Sequence, residues 1–248
     1  MARYDFKSPR LFLEAPLAVG QAVPLAREQI NYLGNVLRLK DGDVVLVFNG
    51  RDGEWRAFLQ RGGKKAAALV PESQVRVQDS SPDLYYLFSP LKHARLDYMV
   101  QKAVELGVSR LQPVMMQHTQ TVRVNLDRMR ANAIEAAEQC GVLTIPGIAE
   151  VSNLERALQA LESSRVLVFC DEDAALTDPI EALKLVVPKA PLAVLVGPEG
   201  GFAEHERAMV LRRANVVRLA LGPRILRADT AAVAALTLVQ AALGDWKG

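Results

Sequence analysis

From Leu84 onward the chain repeats one alternation, a short apolar run followed by a segment with apolar residues at helical spacing. "LYYLFSP", "RLQPVMM", "RVLVFCDE", "PLAVLVG" and "VVRLALG" read as buried strands. Between and after them, "HARLDYMVQKAVELG" places Leu96, Met99, Val100, Ala103 and Val104 near a period of about 3.6 residues, with Gly107 as its C-terminal cap. "NLDRMRANAIEAAEQCG" is a helix that Asn125 caps and Gly141 ends; "PIEALKLVV", "AEHERAMVLRRAN" and "RADTAAVAALTLVQAAL" complete the set. Strands that alternate with helices cannot pair as hairpins, so the expected architecture is α/β, a parallel sheet with helices on both faces.

The preceding residues obey a different rule. "DVVLVFNG" is a strand ending in a turn, "EWRAFLQR" alternates Trp55, Ala57 and Leu59 with polar neighbours, and "RGGKK" turns the chain into "AAALV". Short strands joined by glycine turns predict a small β-barrel. "PESQVRVQDSSPD" buries little beyond Val75 and Val77. The predicted organisation is a barrel over 1–72, a linker over 73–83 and an α/β domain over 84–248, a division that 248 residues accommodate.

Composition narrows the class. No apolar stretch approaches the roughly 18 residues of a membrane span, and "MARYDFKSPRLFLEAP" lacks the uninterrupted apolar core of a signal peptide. Two cysteines, Cys140 and Cys170, are too few for a disulfide framework, which makes a cytoplasmic protein with reduced thiols the default. Each reads as a core or helix-end residue rather than a nucleophile. Net charge is +2, with the basic excess in residues 1–80, a weak pointer to an anionic partner. His93, His118 and His205 have no ligating neighbour at metal spacing, so no metal is expected. There is no Gly-x-Ser-x-Gly nucleophile elbow.

Ligands of an open α/β sheet bind beyond the carboxyl ends of its strands, where two glycine-bearing loops fall. "LVGPEGGFAEHE", Leu195 to Glu206, lacks the Lys-Ser/Thr of a phosphate loop and the Gly-x-Gly-x-x-Gly of a dinucleotide site; alone it reads equally as a turn. "GPRILR", Gly222 to Arg227, sets Arg224 and Arg227 before an alanine-rich helix. Together the two loops make a place where backbone groups hold a cofactor and arginine meets phosphate or an electron-rich base. Trp55 and Phe58 read as barrel core, or as aromatics beside Arg51 and Arg56 that stack on a base.

These loops, with "NVLRLKDGD" and "LKHARLDYMVQKAVELGV", resemble the SPOUT class of methyltransferases, and within it the bacterial family that methylates N3 of a uridine in 16S ribosomal RNA. The resemblance spans nearly the whole chain. It implies an N-terminal PUA-like β-barrel that binds RNA, a SPOUT α/β domain with a deep trefoil knot, and a homodimer. It also implies S-adenosylmethionine held by Leu195, Val196, Gly197, Leu219, Leu221, Gly222, Ile225 and Leu226, with Gly200 and Gly201 allowing close approach. The chain has Asn31 where that family usually has histidine, and Val142 where it usually has arginine; both departures concern RNA docking rather than the cofactor loops.

Uracil N3 is a weakly acidic imide and a poor nucleophile until its proton leaves, so the implied reaction asks for alignment, a proton acceptor and a positive group. The candidates are Glu199 as acceptor or base-positioning group and Arg227 as the cation for a uracil carbonyl or a phosphate. Glu199 has a second reading, a carboxylate that accepts backbone N–H bonds at a helix start. Arg10, Arg38, Lys40, Arg51, Arg56, Lys64 and Lys65 are the candidate phosphate contacts with 16S rRNA or the small subunit. A pure RNA-binding module with a disused pocket, and a ribose 2′-oxygen methyltransferase of the same class, are the competing expectations.

Overall fold

The computed structural model describes residues 5, 7–63, 66–92 and 94–246; Lys64, Lys65 and His93 lie outside the described residues. The chain divides into a first unit, Met1–Ser80 with Ala137–Ile145, and a second, Ser81–Ala136 with Pro146–Gly248.

In the first unit, alternating apolar residues curl one sheet around a core. Its elements are β1 (Arg10–Phe12), β2 (Val23–Pro24), α1 (Arg27–Asn31) continuing into a π-helical turn at Tyr32–Val36, β3 (Val44–Phe48), β4 (Glu54–Arg61) and β5 (Ala67–Arg76). The strand order is β1-β3-β4-β5-β2. Leu11, Val45, Val47, Ala57, Leu59 and Leu69 point inward, and Leu33 of the π-helical turn joins them. Two register shifts between β4 and β5, at Glu54/Trp55 and Arg56/Ala57, add the local bend that curls a sheet.

β5 continues to Arg76, inside the stretch predicted as linker. The reason is polar rather than apolar. Glu54, 2% exposed, accepts a 2.8 Å bond from Arg10 Nε and faces Arg76 Nη1 at 3.7 Å. Arg76 also donates to the Gly141 carbonyl at 2.8 Å, and Glu138 accepts from the Phe12 amide at 2.8 Å. These bonds are why Ala137–Ile145 belongs to the first unit. Arg10 is corrected from its predicted role: a buried guanidinium bonded to Glu54 and to the Asp5 carbonyl is not available to a phosphate.

The second unit carries β6 (Leu84–Phe88), α2 (Ala94–Glu105), β7 (Arg110–Met115), α3 (Leu126–Cys140, whose last residues belong to the first unit), β8 (Gly147–Ile148), β9 (Ser152–Asn153) and α4 (Leu154–Gln159). There follow β10 (Val166–Cys170), α5 (Pro179–Leu183), β11 (Leu192–Val196), α6 (Glu204–Leu211), β12 (Val216–Leu219) and α7 (Ala228–Leu243). The sheet runs β12-β10-β11-β6-β7-β8 with every pairing parallel. In a doubly wound nucleotide-binding sheet the fourth strand lies beside the first; here β11 is inserted between β6 and β10. All five residues of β11 are buried, as a strand covered on both faces requires.

α2 buries Leu96, Met99, Val100, Ala103 and Val104, the predicted face. Gly107 follows with φ +74°, and the buried Gln240 of α7 donates to the Leu106 carbonyl at 2.6 Å, closing the end of α2 with a side chain from another helix. At the amino ends of the central strands, buried Arg165 binds Asp83, Glu162 and the Leu192 carbonyl and stacks on Tyr85 at 3.6 Å, fastening the starts of β6, β10 and β11. Among the described residues no helix is long and apolar enough to cross a membrane.

Two stability measurements follow. Replacing Glu54→Ala leaves Arg10 and Arg76 without their shared carboxylate and is expected to cost about 3–5 kcal/mol in urea unfolding. Asp52 accepts from the Leu17 amide at 2.9 Å and the Asn49 side chain at 2.6 Å, and these bonds hold its carboxyl below the usual 3.8. A depressed carboxyl stabilises fully above its unfolded value and loses that contribution as pH falls through the folded one. Asp52→Asn is therefore expected to unfold about 1–2 kcal/mol more easily at neutral pH, with the gap to the parent closing as the pH is taken below 3.8.

Candidate functional site

Three loops leave the carboxyl ends of the neighbouring strands β10, β11 and β12 and enclose a cleft of about 210 Å³. Each is shaped by a specific local cause. After β11, the Phe202 ring lies over Gly197 so closely that a Cβ there would sit 2.4 Å from it, while the ring meets Phe169 of β10 edge-on at 4.9 Å. Gly201 adopts φ +74°, closes the turn through its amide to the Pro198 carbonyl at 2.9 Å, and its own carbonyl lies 3.0 Å from His118 Nδ1. A Cβ on Gly200 would meet His118 Cβ at 3.2 Å. The turn thus favours glycine at 201 through its positive φ, and His118 leaves little room for a side chain at 200.

The start of α6 is capped by Glu206, whose carboxylate accepts from the Ala203 amide at 3.0 Å and the Gln117 amide at 2.8 Å. This is the helix-start role that Glu199 had as its second reading. Glu199 does something else: its Oε1 accepts a 2.5 Å bond from Arg95 Nη1 of α2.

After β10, buried Asp171 accepts from Arg207 Nε at 3.2 Å and Nη2 at 3.1 Å and from Arg218 Nε at 2.7 Å, joining β10, α6 and β12. Arg218 also donates to the Asp173 carbonyl. Burial, and then the neighbouring Asp171, pushes the Cys170 thiol up to about 12, so it stays protonated and supplies no nucleophile at neutral pH.

Of the residues predicted to hold a cofactor, Val196, Gly197, Gly201, Leu219, Leu221, Gly222, Ile225 and Leu226 line this cleft. Leu195 is wholly buried in β11, and Gly200 stands behind the lining against His118. Among the described residues, the amides of Leu221, Gly222, Ile225 and Leu226 make no hydrogen bond within the chain, so donors are presented beside apolar side chains. Glu172 and Asp173 add carboxylates to the rim. A flat, polar-edged ring on a chain bearing hydroxyl and ammonium groups fits this set. The acidic residues ending β10 were missed in the sequence, where "FCDE" reads as the tail of a strand; only the adjacency of β10 to both β11 and β12 brings them in.

A second cleft, about 450 Å³, opens on the far side of Pro198 and Glu199, which line both. The loops after β6 and β7 complete it, with Lys92, Arg95, His118, Gln120 and Thr121. Thr121 Oγ1 is buried with no hydrogen-bond partner among the described residues. Arg224 lines the first cleft. Arg227 is exposed at the N-cap of α7 and lines neither, although its neighbours Leu226 and Ala228 line the first.

In the first unit, Arg38, Lys40, Arg51 and Arg56 are exposed. Arg51 donates to the Glu14 carbonyl at 3.0 Å, and Arg56 pairs with Glu72 at 3.3 Å over the Phe58 ring. Trp55 is half-buried, its indole N–H given to the Asp52 carbonyl at 2.7 Å. Asn31 bonds the Asn35 side chain at 2.7 Å, and Val142 is half-buried. Gly197→Ala is expected to displace Phe202 from Phe169 and destabilise the chain by about 1–3 kcal/mol in thermal or denaturant unfolding.

Comparison with known proteins places this geometry. The RNA methyltransferase domain family matches residues 79–240, and the RNA methyltransferase PUA domain matches residues 25–72. The Ribosomal RNA small subunit methyltransferase E of Rickettsia conorii is 28% identical over 235 residues, 94% of this chain and 96% of that protein. The structure of a Ribosomal RNA small subunit methyltransferase E from Neisseria gonorrhoeae bound to S-adenosyl methionine superposes with a TM-score of 0.86 at 29% identity, covering 95% of this chain and 98% of that one. A Legionella pneumophila protein whose structure holds the bound cofactor SAM gives 0.84 at 29% identity, over 96% and 99%. The chain belongs to the RNA methyltransferase family, an α/β SPOUT-type methyltransferase domain preceded by a PUA-like domain.

Proposed function

We propose that the chain transfers a methyl group from S-adenosylmethionine to N3 of a uridine in the 16S RNA of the small ribosomal subunit. The observation that carries this reading is the pair of clefts meeting at Pro198 and Glu199, one lined for a cofactor and the other open for an acceptor. Relatives named for small-subunit rRNA methylation, aligned over nearly the whole chain, support the substrate.

When bound, the cofactor supplies an electrophilic methyl group on a sulfonium that leaves as a neutral thioether. The chain's residues do the rest. Val196, Leu219, Leu221, Ile225 and Leu226 exclude water around the adenosyl group, and the unengaged amides after β12 bond the adenine edge. Glu172 and Asp173 accept from hydroxyl or ammonium groups. Glu199 accepts the N3 proton or orients the imide from the wall between the clefts. Alignment contributes several kcal/mol and a positioned base about 10²–10⁴-fold.

Arg227, exposed beside the first cleft, contacts a phosphate of the RNA. The barrel, 1–72 by the sequence reading with 73–83 as the linker, grips the RNA backbone through Arg38, Lys40, Arg51 and Arg56. Two copies pair, and pairing near the loop after β12 covers Ile225, which is 98% exposed in the single chain. The loops after β11 and β12 are the knotted part of the chain, and an rRNA substrate sets the compartment as the cytoplasm.

The test incubates the full chain with methyl-labelled S-adenosylmethionine and either 30S particles or naked 16S RNA, then maps the label by mass. The expected result is one methyl on a uracil N3. Label on a ribose 2′-oxygen, or cofactor binding with no transfer to RNA, would replace this reading. RNA titrations at several salt concentrations test the grip. Arg38→Ala, Lys40→Ala, Arg51→Ala and Arg56→Ala are each expected to remove one phosphate-binding charge and lower the slope of log K against log salt by about 0.7–0.9.

A further inference from the structure

We infer that the cleft between the loops after β6 and β7 receives the uracil ring, and that Arg95 and Glu199 together read its imide edge. The inference rests on the proposed function and adds the base-recognition pair.

Arg95 and Glu199 meet through one bond, Nη1 to Oε1 at 2.5 Å, the only one either side chain makes among the described residues. Their side chains are 42% and 36% exposed, so a ligand reaches them. Glu199 Oε2 and the remaining guanidinium N–H groups have no partner among the described residues, leaving an acceptor beside donors. Uracil offers the complement, an N3–H donor flanked by carbonyl acceptors. Cytosine offers a bare N3 lone pair and an amino group, which sets a lone pair against the carboxylate. A site built to hydrogen-bond one ring rejects the other because its own polar groups are then left unpaired.

Position agrees with this chemistry. Glu199 lines both clefts, so an imide edge held there faces the cofactor side. The cleft, about 450 Å³, lies in the range of pockets that enclose a small ligand, and a base turned out of its stack enters such a pocket. Thr121 Oγ1, buried and without a partner among the described residues, supplies one more polar group for the ring or its ribose. As the N3 proton leaves, negative charge spreads onto the carbonyls, and Arg95 is the cation placed to meet it.

The test uses the full chain, labelled S-adenosylmethionine, and 16S transcripts carrying uridine or cytidine at the mapped position, offered both naked and assembled into 30S particles. Arg95→Ala is expected to bind the cofactor in calorimetry within about twofold of the parent while kcat/KM on the uridine transcript falls about 10²–10³-fold. Arg95→Lys, which keeps the charge without the planar fork, recovers part of the loss. The deficit of Arg95→Ala shrinks as the pH rises toward ionisation of the imide, and both Arg95→Ala and Glu199→Gln narrow the preference for uridine over cytidine. An unchanged rate, a pH-independent deficit, an unchanged preference, or loss of cofactor affinity equal to the loss of rate overturns the inference and leaves the methyltransferase reading standing. Parent enzyme that labels ribose, or no RNA at all, removes the reading and the inference with it.

Discussion

The insertion of β11 between β6 and β10 is the constraint on which the functional half of the molecule depends. A parallel strand with neighbours on both sides and helices on both faces must be apolar along its whole length, and Leu192–Val196 meets that demand. Once in place, it sets the loop after β11 between the loops after β10 and β12 on one side and those after β6 and β7 on the other. Both clefts arise from that adjacency, and Pro198 and Glu199 are their common wall because β11 is the strand between them.

Polar staples then make the loops definite. Asp171 holds two guanidiniums from α6 and β12, Glu206 holds amides from its own helix start and from the loop after β7, and Gly201 meets His118. Asp171 and Glu206 are buried, so removing a partner of either leaves buried charge or an unmet donor, and these two staples resist local opening more than an exposed ion pair could. Arg165 does the same at the amino ends of β6, β10 and β11. The cleft lining is thereby held from both ends of the strands, as a preorganised site needs.

Legibility in the sequence follows the range of the interaction. The face of α2 and its Gly107 stop, the Asn125 cap of α3 with its Arg128 amide bond at 3.0 Å, and the limits of β4 are local patterns, and the sequence shows them. β8, β9 and α4 are too short for a period to register. The extension of β5 to Arg76 escapes because pairing with the buried Glu54, rather than an apolar residue, holds its end. Arg10 misleads for the same reason: a basic residue near a terminus reads as surface until Glu54, far along the chain, is seen beside it.

The sequence by itself determined the α/β alternation, the β-rich first part, and the two glycine loops that wall the first cleft, because each is written in spacing over a few residues. Only the tertiary structure decided which glycine answers to Phe202 and which to His118, that the acidic end of β10 joins the cleft, and that Glu199 faces Arg95 rather than a helix end. Those facts depend on the order of strands in the sheet, and strand order comes from the packing of segments more than a hundred residues apart, such as β6 against β11, about which the local spacing of residues carries no information.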